Sequence, residues 1–112
     1  MSIPEITHYA EQGNLEAQLY LASAYYEGYC VPQSFEQAAL WHHKAAEQNS
    51  MEAQFLLGVM YSEGLGVKKD EKQSFEWFKK AAFLLSKRNI QKMQLISLHL
   101  IMPPSFFPLP HR

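Results

Sequence analysis

"AEQGNLEAQ" runs from Ala10 to Gln18 and "AEQNSMEAQ" from Ala46 to Gln54, so nearly the same nine residues return after 36 positions. Sliding the chain by that period sets residues 13–48 over 49–84 without a gap. Thirteen positions are then identical: Glu16/Glu52, Ala17/Ala53, Gln18/Gln54, Leu21/Leu57, Tyr25/Tyr61, Glu27/Glu63, Gly28/Gly64, Val31/Val67, Gln37/Gln73, Trp41/Trp77, Lys44/Lys80, Ala45/Ala81 and Ala46/Ala82. A fixed period of this length is the signature of a solenoid, in which units that cannot each hide their apolar face stack on one another.

Within each unit the periodicity splits into two helices. The first covers about Leu15–Glu27, and again Met51–Glu63. Ala17, Leu21 and Tyr25 recur at i, i+4 and i+8, as do Ala53, Leu57 and Tyr61, which places each trio on one helical face. Ala22 and Gly58 share a register position, so a close helix crossing is expected there. Both first helices stop at a glycine, Gly28 or Gly64, where a left-handed cap is cheap. The loops "GYCVPQS" and "GLGVKKD" follow, each with a valine, Val31 or Val67, expected to plug the core. The second helix covers about Phe35–Gln48 and Glu71–Leu84; Ser34 with Gln37, and Asp70 with Gln73, have capping-box spacing. Trp41 and Trp77, four residues before Ala45 and Ala81, are expected to fill the core between small residues.

The register extends past the two units. Residues 3–12 align with 39–48, as the closing half of a second helix. After Ala82 the pattern fails, because Asn89 and Ile90 stand where the units have Ala and Gln. A shift of four residues puts "MQLISLHLI" (93–101) under "AQFLLGVMY", a degraded first helix. The expected fold is all-α, a superhelical solenoid of antiparallel helix pairs forming one domain over 1–102. It comprises a half-repeat helix at 3–12, repeats at 13–48 and 49–84, and a degenerate capping helix at 85–102. An extended Pro/Phe tail follows at 103–112.

Composition narrows the classes. With 47% hydrophobic and 19% charged residues, the 112-residue chain reads as one ordinary globular domain. The longest apolar-rich run, Met93 to Met102, is interrupted by Ser97 and His99 and is too short to span a bilayer, so no membrane insertion is expected. The lone Cys30 cannot form an internal disulfide, and a reducing cytoplasm is the expected compartment. The net charge of −1 hides an asymmetry. Residues 1–67 carry eight Glu against Lys44 (−7), and residues 68–112 carry nine Lys and Arg against Asp70, Glu71 and Glu76 (+6). A chain so divided is a candidate for salt-sensitive head-to-tail self-association. The run Lys68–Lys69–Asp70–Glu71–Lys72 is of mixed sign, and nucleic-acid binding, which needs clustered positive charge, is not expected.

The pattern A-Q-x-x-L-[AG]-x-x-Y-x-x-G, then V, then W-x-x-K-A-A resembles the Sel-one-like repeat family, α/α repeats related to tetratricopeptide repeats. The resemblance covers 13–84 and part of 3–12. Cys30 replaces the second loop glycine, present as Gly66, and Ser34 replaces the aspartate present as Asp70. The structural positions it carries over are Ala17, Leu21, Tyr25, Gly28, Trp41 and Ala45, then Ala53, Leu57, Tyr61, Gly64, Trp77 and Ala81. The resemblance implies an adaptor, found in bacteria among other sources, whose first helices line a concave partner-binding face.

By analogy with tetratricopeptide geometry, the concave positions are Glu16, Leu19, Ser23, Tyr26 and Glu27 in the first unit. In the second they are Glu52, Phe55, Val59, Ser62 and Glu63. Apolar side chains at exposed positions mark interaction surfaces, and the glutamates would rim them. The expected partner is a protein or peptide with apolar anchors and basic flanks. The alternative at this stage is that the 90–102 segment covers Phe55 and Val59.

Sites for chemistry are not apparent. His42 and His43 are adjacent and diverge by about 100° on a helix, so they are expected to be solvated beside Trp41 rather than to share a metal. No H-x-x-x-H, C-x-x-C, G-x-S-x-G or phosphate loop occurs. No catalytic residue, metal or cofactor is expected, and the chain is read as a non-enzyme. Some cysteine-rich relatives are associated with β-lactam binding or hydrolysis but rely on a disulfide in each repeat. A further alternative is a truncated structural paralogue of a longer repeat protein.

Overall fold

The computed structural model describes residues 1–101, with side chains as far as Leu95. It contains five helices in chain order: α1 (Ile3–Glu11), α2 (Leu15–Glu27), α3 (Phe35–Glu47), α4 (Met51–Glu63) and α5 (Glu71–Ile101). No strand occurs among the described residues. Each helix packs on the next in sequence, α1 on α2, α2 on α3, α3 on α4 and α4 on α5. The architecture is an α/α solenoid. The tail expected at 103–112 lies outside the described residues.

Every helix start is chemically marked. Ser2, Asn14, Ser34 and Ser50 each accept a hydrogen bond from the backbone N–H three residues on, and Asp70 accepts from both Lys72 and Gln73. These caps satisfy donors that the first helical turn leaves without partners. The first helices end on left-handed glycines, Gly28 at φ 74° and Gly64 at φ 70°. The two loops then repeat their backbone bonding: Tyr29 N–H donates to Ala24 O and Leu65 N–H to Met60 O, while Ser34 N–H donates to Tyr25 O and Asp70 N–H to Tyr61 O.

The core follows the register. Ile6, Ala10, Leu21, Ala22 and Trp41 form one buried cluster, with Ala17 and Tyr25 packed against it. Ala45, Ala46, Ala53, Leu57 and Trp77 form the next, with Tyr61 against it. Val67 packs with Leu65 on a third group of Ala38, Ala39 and Met60. The small residues set the helix separation, and the tryptophans occupy what remains. The W-x-x-K repeat is also explained: Lys44 Nζ lies 4.9 Å from the Trp41 ring and Lys80 Nζ 4.4 Å from the Trp77 ring.

Two expectations are corrected. First, the chain does not turn after Leu84 into a separate capping helix at 85–102; α5 continues to Ile101. The two real turns at this register place Gly13 at φ 94° and Asn49 at φ 63°. The third position in the series is Leu85, and a leucine cannot adopt the left-handed conformation without a cost of roughly 1–2 kcal/mol. Second, His42 is not solvated. It is buried, at the register where Phe78 stands in the next unit, and only His43 lies near the surface. His43 meets the Trp77 ring edge-on at 5.4 Å and pairs with Glu47 at 3.0 Å.

Candidate protein-interaction face

The repeated nine-residue stretch closes on itself. Gln18 Nε2 donates to Ala10 O at 3.0 Å, and Gln54 Nε2 donates to Ala46 O at 3.2 Å. Each bond joins the first residue of the stretch to its last and satisfies a carbonyl at the end of a second helix. In the first unit a further side chain completes the seam. Gln48 Nε2 donates to Gly13 O and to Gln18 Oε1, both at 2.9 Å. One period later that residue is Leu84, and Gln54 Oε1 is buried without a hydrogen-bond partner.

This seam fixes how α2 and α4 are rotated. Residues 16, 20, 23 and 27 of α2 lie within about 60° of one another around the helix. Glu16, Tyr20, Ser23 and Glu27 are accordingly exposed. The same stripe on α4 is Glu52, Leu56, Val59 and Glu63, of which only Val59 is half-buried. Tyr20 is 42% and Leu56 37% exposed, so each stripe presents a large apolar side chain between two carboxylates. Neither helix contains a Lys, Arg or His. Neither Glu27 nor Glu63 forms an ion pair among the described residues.

The ten residues expected on the concave face therefore divide. Glu16, Ser23 and Glu27, with Glu52, Val59 and Glu63, share the outward stripes. Leu19 lies on a shoulder of α2 and packs against the Ala45–Leu57 cluster of the following unit. Tyr26 packs edge-on against Phe35, ring centroids 5.2 Å apart, over the Met60 cluster. Phe55 and Ser62 occupy the same shoulder on α4. Phe55 touches Phe78 at 5.4 Å, yet is 54% exposed. Tyr20 and Leu56 are the residues that sequence reasoning missed. Their signal was present in the i, i+4, i+7, i+11 spacing from each glutamate, but Tyr20 and Leu56 differ in type and so fell outside the list of identities.

Burial holds the His42 imidazole neutral, its pKa lowered from 6.5 to about 4 by desolvation. Among the described residues no three His, Cys, Asp or Glu side chains converge as a metal site would require. Among them also, no helix is long and apolar enough to cross a membrane.

The Sel1 repeat family model matches residues 15–50 and 52–82, and the chain belongs to that family. Its solved neighbours have the same architecture. An antigen, c5321, from uropathogenic Escherichia coli strains, displaying an SLR fold, is 44% identical with a TM-score of 0.67, over 70% of this chain and 17% of that one. A Sel1 repeat protein from Oxalobacter formigenes is 35% identical with a TM-score of 0.69, over 73% of this chain and 63% of that one. Helicobacter pylori cysteine rich protein B is 28% identical with a TM-score of 0.68, over 73% and 62%. The chain thus spans less than two thirds of the length of each of these structures. No curated protein matches it. Sel1 repeat proteins are generally non-enzymatic scaffolds for protein–protein interaction.

Proposed function

We infer that the protein is an adaptor that binds a protein or peptide segment along the outward stripes of α2 and α4. The carrying observation is the repeated arrangement Glu–large apolar–small–Glu: four exposed carboxylates, with Tyr20 and Leu56 between them and no cation on either helix. Acidic stripes of this kind, with Arg88 of α5 bordering one pocket beside Glu52, favour a partner of opposite charge and raise its rate of encounter. The apolar side chains would supply the anchors, since desolvated aromatic and aliphatic groups carry most interface energy. The partner class is a segment with apolar anchors and Lys or Arg flanks. The expected compartment remains the cytoplasm, on the strength of the lone Cys30.

The test is selection of a random peptide library on the immobilised protein, followed by titration of the enriched peptides. Enrichment of basic-flanked, apolar sequences is expected. Their affinity should fall at least tenfold on Tyr20→Ser with Leu56→Ser, while the melting temperature changes little. Binders that ignore this double substitution would refute the assignment.

A further inference from the structure

The end of the stack carries a seat with nothing in it among the described residues. Met51 and Phe55 of α4, with Phe78, Ala81, Ala82 and Leu85 of α5, line a mostly apolar groove of about 550 Å³ that Glu52 also borders. Its chemistry can be read one period back, where the corresponding residues are Leu15, Leu19, His42, Ala45, Ala46 and Asn49. That earlier seat is filled: Ala53 and Leu57 of α4 join the buried cluster of Ala45 and Ala46, with Leu15 and Leu19 packed against it. The groove at the end is therefore built to receive one more helix, running antiparallel to α5.

The same chain holds a helix without a seat. α5 is 31 residues long, against 13 for α3, its counterpart in the preceding unit. Every described residue from Leu85 to Leu95 is exposed, including Ile90 at 54%, Met93 at 66% and Leu95 at 60%. Carried on without the four-residue shift, the 36-residue register makes these residues a degraded next first helix, with Asn89 and Ile90 where the two units have Ala and Gln. Ser86 stands where Asn14 and Ser50 cap α2 and α4, and Met93 stands where Leu21 and Leu57 enter the core. What prevents the segment from folding back is Leu85, at the position where Gly13 and Asn49 make their left-handed turns.

We propose that the protein forms a two-fold dimer by helix exchange, the distal half of each α5 filling the α4–α5 groove of the other copy. The geometry follows from the filled seat. There Ala45 and Ala53, four residues either side of the turn at Asn49, join one buried cluster. Straightening that turn at Leu85 keeps the same pairing but delivers it to a second chain, with the two α5 helices crossing antiparallel at Leu85. The contact is self-complementary and closed, as a two-fold interface must be. It lies at the end of the stack, meets the outward stripes at Glu52, and does not depend on the adaptor reading. It also differs from head-to-tail pairing through opposite charges, because its contacts are apolar and salt should not weaken it.

The test is sedimentation velocity on the full chain at 1–100 μM, in 0.05 M and 0.5 M salt. A species of twice the 13.0 kDa chain mass is expected at both salt concentrations. Leu85→Gly restores a residue suited to the turn and should convert the dimer to monomer. Phe55→Glu charges the seat and should do the same, with helicity and cooperative melting retained by circular dichroism. A monomer at 100 μM overturns the proposal. So does a dimer that dissociates in 0.5 M salt, or one that both variants leave intact while folded.

Discussion

Gln48 shows how much one side chain can carry between units. Its amide reaches back to Gly13 O and Gln18 Oε1. Gln48→Ala removes both bonds, one exposed and one part-buried, and should cost about 0.5–1.5 kcal/mol. The converse is available one period on, where Leu84 leaves Gln54 Oε1 without a partner. Leu84→Gln should raise stability by about 0.5–1 kcal/mol, and thermal melts of the two variants should shift in opposite directions. His42 makes stability depend on pH. At pH above 6.5 both folded and unfolded states hold it neutral. As pH falls from 6.5 towards 4, the unfolded chain takes up a proton that the folded chain, with its pKa lowered to about 4, does not. Stability is therefore lost across that window, by about 2–4 kcal/mol in all. Denaturant titrations at pH 7 and pH 4.5 should show the loss, and His42→Leu should flatten it. That His42 faces inward was not legible from residue type. The pair His42–His43 looks polar, and only the register with Phe78 marks position 42 as a core site.

At the scale of elements, the helices were legible because caps, small residues and left-handed glycines coincide at fixed offsets. α2 and α4 begin and end where the periodicity places them, and α3 where Ser34 caps it. The end of α5 was not legible, because a missing turn residue leaves a helix free to continue, and no local signal in 85–101 opposes it. The loops allow a sharper comparison. A Cβ at Gly66 would lie 2.1 Å from Phe35 O, and Gly66 itself sits at φ 71°. Gly66→Ala therefore meets both backbone collision and left-handed strain, and should destabilise by several kcal/mol. Cys30 holds the same place in the first loop at φ 63°, with its side chain exposed. Cys30→Gly relieves the strain and should stabilise by about 1 kcal/mol, read as a melting temperature several degrees higher. The crossing of α4 and α5 shows a complementary economy of volume. Gly58 lies under the Phe78 ring, where a Cβ would approach to 2.6 Å; the corresponding pair one period back in sequence is Ala22 and the smaller His42, both buried.

For the whole molecule, stacking converts a repeat in sequence into a repeat on a surface. The equivalent seam bonds of Gln18 and Gln54 go with equivalent exposure of Glu16 and Glu27 on α2 and of Glu52 and Glu63 on α4, with Tyr20 and Leu56 between them along each helix. The sequence carried the fold nearly in full but the candidate face only in part. Identities between units mark the buried residues and the exposed pairs Glu16/Glu52 and Glu27/Glu63, while the apolar positions between those glutamates, Tyr20 and Leu56, differ in type. Leu19 and Tyr26 were drawn into the expected face because an apolar residue beside the main stripe can equally serve the neighbouring unit, and spacing within one helix does not tell the two apart. The most direct measurement is chemical-shift mapping of the labelled protein with a selected basic-flanked peptide. The account predicts perturbations concentrated at Glu16, Tyr20, Ser23, Glu27, Glu52, Leu56 and Glu63. Perturbations confined to the outer faces of α3 and α5, with α2 and α4 silent, would contradict it.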